Sequence, residues 1–437
     1  VVARGDLTEK HRNALLEEMT DSVAELVLEN NYHQTQAISL TEFQAVERSG
    51  EYRRFIRLME NAGRLDRALE FIPSDEELAE RRIQGKALTR PELSVVISYT
   101  KGILKEELID SDLGRDPYLA AMVKTAFPQR LVEGYEEEIL EHRLHREIMA
   151  TQVANDIVNR MGLNFILRQS KATGASTPDV ARAYIAVLEL FRLRDTWRQI
   201  EALDHQVSTG VQLEMMLHLI RLVKRSTRWM LRNRRHELAP AELIDEFREG
   251  MDQLFEVPSE VFRGRASEQY QSLLDRYVEQ GVNEELAELV ARTSQAYTAL
   301  GIIQVGKEIE LPLLEVARFY FMVGERLELD WFISQILATK VESEWQALAR
   351  DTYLEDLEWQ HRTLTVGALR HRTEDGNLLS SIKAWEKQEA ALLKRWQEML
   401  AELHATETPD FSMFAVANRE LLDLAQSSLR SAAETAQ

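Results

Sequence analysis

Between residues 141 and 162 the chain reads EHRLHREIMATQVANDIVNRMG, with no proline or glycine before its last position. An uninterrupted run of this kind narrows the backbone choices sharply, because nothing in it ends a helix and its apolar residues repeat at helical spacing. Leu140, Leu144, Ile148, Met149, Ile157, Val158 and Met161 fall mostly three, four or seven apart, which is one stripe of a 3.6-residue helix. The spacing predicts a long amphipathic helix over 141–162. Beside the stripe, Gln152, Asn155 and Asn159 stand in line, and Asp156 and Arg160, four apart, are placed to pair along the helix. Amides in a helix interior are poor helix formers and need either solvent or a partner. Two readings are therefore open: a wetted face, or a polar seam between packed helices. An unpaired buried amide costs about 1–3 kcal/mol, so a seam would fix which neighbour is accepted. Neither is a catalytic arrangement.

The remaining punctuation is also helical. Asp6 to Glu9, Ser39 to Glu42, Ser74 to Glu77 and Thr89 to Glu92 each have capping-box spacing, where each cap contributes about 1 kcal/mol. Met19, Val23, Leu26 and Val27 make one face of a helix expected to stop at Asn30-Asn31. A second helix runs through Phe55, Leu58 and Met59 to Gly63. Thr89 and Pro91 open a helix with Leu93, Val96, Ile97, Ile103 and Leu104 on one face, and Asp116-Pro117 and Pro128 mark two breaks. After an irregular stretch over 162–176, a cap at Thr177 precedes Pro178 and the stripe Val180, Tyr184, Val187, Leu188 and Phe191.

Beyond Pro240, helices are expected near 241–255, 267–279, 284–299, 313–326, 330–339, 342–362, 378–404 and 411–431. Pro258, Gly281, Gly301 and Pro312 separate several of them. Only 302–311, IIQVGKEIEL, reads as strand. The expected fold class is all-α, an array or bundle of roughly fifteen or more helices with little or no strand. It divides into 1–88, 89–238 and 239–437, with a soft boundary near 236–240.

The most distinctive electrostatic feature lies between residues 213 and 235. Arg221, Lys224, Arg225, Arg228, Arg232 and Arg235 form one basic stripe beside Leu213, Leu217, Ile220 and Trp229. The chain as a whole has 73 acidic and 53 basic residues and a formal charge of -20, which repels nucleic acid and anionic lipid on average. Trp229 is the one ring inside the stripe, so base stacking has little support. The better reading pairs the stripe with an acidic helix of this chain or of another subunit. No run approaches a membrane span, and no basic-then-apolar leader opens the chain, so a cytoplasmic protein is expected. Zero cysteines exclude disulfides and thiolate chemistry. A first residue that is valine rather than methionine suggests a piece of something longer.

The pattern of residues lacks the signatures of several chemistries. A strand followed by G-x-G-x-x-G and a helix, which would hold a dinucleotide pyrophosphate, is missing. So are serine-hydrolase elbows and phosphate loops. Glu358-x-x-His361 has the spacing of a carboxylate-bridged metal helix, but such a centre needs a second copy and two further glutamates. His142 and His145, each one turn after Glu138 and Glu141, are explained by helical pairing without a ligand. Trp345, Trp359, Trp385 and Trp396 read as core or interface anchors. No catalytic, cofactor-binding or metal residue is assigned. The interaction candidates are Gln152, Asn155 and Asn159 with the six basic residues of the stripe.

The long run HRLHREIMATQVANDIVNRMG, preceded by LTRPELSVVISYTKGILKEELIDSDLGRDPYLA and followed by GASTPDVARAYIAVLELFRLRDTW, resembles the large bacterial NAD-dependent glutamate dehydrogenases after their catalytic domain. The opening GDLTEKHRNALLEEMTDSVAELVLENNYHQTQAISL shares the resemblance, which is clearest from Gly5 to about Arg235. It implies that residues 1 to about 85 form the tail of the catalytic region and its connection onward. It also implies an intact homo-oligomeric enzyme that oxidatively deaminates L-glutamate to 2-oxoglutarate and ammonium with NAD. The dinucleotide fold and the glutamate-binding lysines would then lie upstream, leaving this portion as a non-catalytic helical scaffold, oligomerisation or regulatory region that braces the catalytic domain and would carry subunit contacts or communicate effector binding. The alternative is a free-standing helical interaction module that docks an acidic partner through the basic stripe.

Overall fold

Periodicity of 3.6 with helix-type caps leaves little room for sheet, and the computed structural model agrees. It describes residues 7–235, 237–256, 261–341, 343–371 and 377–435. Among them are 22 α-helices and no strand. None of those helices is long and apolar enough to cross a membrane. The chain forms two compact units, one of Val1–Arg194 with Val223–Ile244, the other of Asp195–Leu222 with Asp245–Gln437.

The first unit is built around the helix His145–Met161. This corrects the expected start at 141. The preceding helix Gln129–Leu140 ends there, Glu141 caps it, and the His142 Nδ1 accepts the Leu144 N–H at 3.1 Å. A side chain that bonds its own backbone two residues on offers the chain a turn instead of a helix. Leu140 and Leu144 consequently lie exposed, and Glu141 and His145 cannot pair along one helix. The buried stripe is Met149, Ala150, Val153, Ala154, Ile157, Val158 and Met161. It packs on the helix Arg90–Ile109, which buries Leu93, Val96, Ile97, Leu104 and Leu108.

Two of the anticipated caps are present: Ser74 accepts the Glu77 N–H, and Thr89 and Glu92 complete a reciprocal box. Asp6 lies outside the described residues, and Thr8 caps the first helix there. Ser39 is a helix-interior residue, its hydroxyl donating to the Thr35 carbonyl, because the helix Thr20–Phe43 runs straight through Asn30-Asn31. The helix Thr177–Leu190 is capped one residue earlier than expected, by Ser176, which accepts the Asp179 N–H, and Thr177 is its first residue; the helix is buried on nearly every side.

In the second unit the helix Glu344–Arg370 is the hub. It lies along the helix Phe411–Thr435 and also meets Thr298–Ile309, Leu313–Arg326, Leu329–Ala338 and Leu378–Gln388. The segment 302–311, expected as strand, is the helix Thr298–Ile309. Gly301 therefore separates nothing. It lies within that helix where Arg362 approaches so closely that a Cβ would collide with the arginine stem. Pro258 and Glu342 fall outside the described residues. The run expected as one helix over 378–404 is two, Leu378–Gln388 and Ala390–Ala405, joined at the buried Glu389. Trp385 and Trp396 are core: their indole N–H groups donate to Ser428 Oγ at 2.9 Å and to the Leu327 carbonyl at 3.0 Å. Trp345 and Trp359 are exposed.

Candidate functional site

Helix packing in the first unit turns one side of the central helix into a charged node. Asp156, 9% exposed, forms ion pairs with Arg160 on its own helix and with Arg194 at 3.0 Å. The fully buried Tyr184 donates to its Oδ2 at 3.0 Å. Burial raises the Tyr184 phenol above its ordinary range, with Arg160 and Arg194 acting in the opposite sense, so the hydroxyl stays a neutral donor. Arg194 also reaches Glu189 at 3.3 Å. A carboxylate that accepts two guanidiniums and a phenol has most of its acceptor sites occupied and is set up to lock helices rather than to exchange protons.

The three amides flank this node. Gln152, Asn155 and Asn159 are all half-buried, and Asn159 Oδ1 is a buried oxygen without a hydrogen-bond partner among the described residues. Asp156, between them in sequence, is the residue that the structure ties to neighbouring elements.

A second polar junction forms where the basic stripe passes the helix Phe165–Thr173. Gln169, 1% exposed, donates to the Lys224 carbonyl at 2.9 Å and accepts from Arg228 Nε at 3.3 Å. Arg232 donates to the Ala172 carbonyl at 2.9 Å, a cation at the carboxyl end of a helix, where the macrodipole favours it. Arg168 donates to Glu51 at 2.6 Å. Burial alone would raise the Glu51 carboxyl. Arg168, Arg48 and Lys224, with a hydrogen bond from Asn164, hold it below the usual carboxylate range. Thus Lys224, Arg228 and Arg232 are engaged within the unit. Arg225 is half-buried, and Arg235 and, in the second unit, Arg221 are exposed.

The proposed metal spacing has another explanation. His361, buried in the second unit, stacks on Tyr320 with ring centroids 3.6 Å apart, and its Nε2 lies 2.8 Å from the Tyr320 carbonyl. A carbonyl only accepts, so Nε2 carries the proton. Burial pushes this imidazole down to about 4, against the pull of that hydrogen bond. Glu358 is paired with Arg362 at 2.8 Å. His145 lies 3.2 Å from the Ala120 carbonyl. Among the described residues, no group of three or more His, Asp or Glu side chains could hold a metal ion.

Sequence reasoning found the Asp156–Arg160 pair from its spacing. It placed Tyr184 in a buried stripe but missed its bond to Asp156, and it missed Arg194, Glu51 and Gln169, because these contacts join residues far apart in sequence and no local signal marks them.

Residues 85–423 match the family described as glutamate dehydrogenase, C-terminal, and residues 1–41 match the catalytic domain of bacterial NAD-glutamate dehydrogenase. The chain is 48% identical over 428 residues to an NAD-specific glutamate dehydrogenase of Pseudomonas aeruginosa and 45% identical over 427 residues to one of Halomonas elongata. It is 29% identical over 430 residues to one of Mycobacterium tuberculosis. Each alignment covers 98% of this chain and 26% of the relative, so the chain spans about a quarter of the length of the proteins it matches. The similarity therefore extends well past Arg235, the end of the stretch over which the resemblance is clearest, and through most of the last hundred residues.

Proposed function

This chain belongs to the C-terminal family of the glutamate dehydrogenases, and from that premise we propose that it is the helical scaffold of a large NAD-dependent enzyme. In this reading the intact subunit oxidises L-glutamate to 2-oxoglutarate and ammonium with NAD, and both substrate and dinucleotide are held by the region that precedes this one. Residues 1–88 are the end of the catalytic region and a connector, and 89–238 and 239–437 are helical supports. The intact protein is a cytoplasmic homo-oligomer.

The observation that carries the scaffold role is where the polar side chains go. The groups with the most chemical promise are committed to holding helices together: Asp156 to Arg160, Arg194 and Tyr184, Glu358 to Arg362, and His361 to the Tyr320 carbonyl. A general acid or base needs a free lone pair or proton facing substrate, and paired groups of this kind supply rigidity instead. The match of residues 1–41 to a catalytic domain, ahead of the C-terminal match in chain order, supports catalysis being placed upstream.

The test is glutamate-dependent NADH formation followed at 340 nm. The 437-residue chain alone is expected to give none, and the full polypeptide to be active. Turnover by the 437-residue chain would overturn the scaffold assignment.

A further inference from the structure

The helices Glu9–Glu18 and Thr20–Phe43 run almost without a break, since the Met19 N–H reaches the Leu15 carbonyl and the Val23 N–H the Met19 carbonyl. Along them Leu16, Met19, Val23 and Val27 fall at offsets of three, four and four, a single apolar line. Met19 is tucked between the two helices, but Leu16, Val23 and Val27 are 55%, 47% and 54% exposed. Glu17, Asp21, Glu25 and Glu29 give the same stretch abundant charge, so it is not short of residues with which to face water. The first helix buries none of its residues, and in the second the buried ones are Ala37, Leu40 and Thr41. At that end the helix is tied down, with Arg90 reaching both Ser39 and Glu42.

Within the helix Thr20–Phe43 burial begins at Ala37, close to residue 41, where the match to the catalytic domain family stops. Two independent observations, one of solvent exposure and one of sequence kinship, thus divide the chain at nearly the same place. Forty-one residues are too few for a dinucleotide-binding fold, so the rest of any such domain has to lie elsewhere in the polypeptide. A helix whose first half leaves most of its apolar line exposed is marginal in water, and the partner of that half should be the domain to which its sequence belongs.

We propose that the line Leu16, Val23 and Val27 is the docking surface of this region on the catalytic domain, and that the helix passes from that domain into the scaffold between Val27 and Ala37. The inference rests on the function proposed above and specifies which helix makes the contact. The continuous helix then makes a mechanical link: its first half moves with the catalytic domain and its second half with the first unit of the scaffold.

The test uses the full polypeptide with a benzophenone photoprobe at Val27, and separately at Asn31, an exposed rim position whose replacement removes no apolar contact. After irradiation, the cross-linked peptides are identified by mass spectrometry. Peptides from the region preceding this chain are the expected result at both positions. Cross-links to residues 9–36 of a second copy, cross-links to other parts of this chain, or no cross-link at either position would overturn the proposal. Glutamate-dependent NADH formation by the unmodified polypeptide is measured in parallel. Its absence would remove the functional reading while leaving the docking assignment to be decided by the cross-link.

Discussion

Asp156 shows how one side chain can set the packing of several elements. Removing it leaves Arg160 and Arg194 facing each other half-buried and takes from the Tyr184 hydroxyl the carboxylate to which it donates. Losing one partner of a buried network costs more than the pair contributes, though the partial exposure of both arginines tempers this. Asp156→Ala is expected to lower stability by about 2–3 kcal/mol in urea denaturation. A change under about 0.5 kcal/mol would mean that water already screens the node. Two imidazoles set a pH dependence. Burial pushes both His218 and His361 down to about 4 from 6.5, with Arg221 and Arg276 adding to the effect at His218. Both are therefore neutral in the folded chain while the unfolded chain takes up protons. Their contribution is complete above pH 6.5 and is lost as pH falls toward 4, on the order of 3 kcal/mol each. Denaturation midpoints measured across that window should fall steadily, and His361→Gln should flatten the slope. An unchanged slope in the variant would remove His361 from the account. At this scale the sequence revealed the local contacts, the Asp156–Arg160 pair and the caps at Ser74 and Thr89, because the other contacts are made by tertiary packing.

At the scale of elements, most helices were legible, because amphipathic spacing and caps are local signals. Leu313–Arg326 and Pro240–Glu256 match their expected spans to within a residue or so. The failures have physical causes. Residues 302–311 looked like a strand because Ile302, Ile303, Val305 and Ile309 are β-branched and the helix ends without glycine. Its C-terminal residue is Glu310 in the left-handed region at φ 56°, with its N–H bonded to the Gly306 carbonyl at 2.9 Å. Glycine takes that conformation without a steric penalty, and a carboxylate opposes the helix dipole there. Glu310→Gly should therefore stabilise the chain by about 0.5–1 kcal/mol in thermal unfolding. A loss of stability would assign Glu310 a favourable contact that outweighs its backbone strain. The early end assigned at Asn30-Asn31 failed for the opposite reason: asparagine is a weak stop that neighbouring turns can override. The central helix began later than expected because His142 diverts the backbone, which the spacing of apolar residues does not report.

Across the molecule, family and fold class were readable because they reside in long runs of sequence, whereas the way the units use their polar residues was not. Each unit buries its aromatic and aliphatic residues between helices: Tyr184, Phe165 and Leu93 in one, Trp385, Trp396 and Phe332 in the other. In the proposed function this architecture supports a dinucleotide enzyme without holding the dinucleotide. Isothermal titration of NAD into the 437-residue chain addresses that directly. The account predicts heats no larger than those of dilution, and saturable binding at one NAD per chain would contradict it.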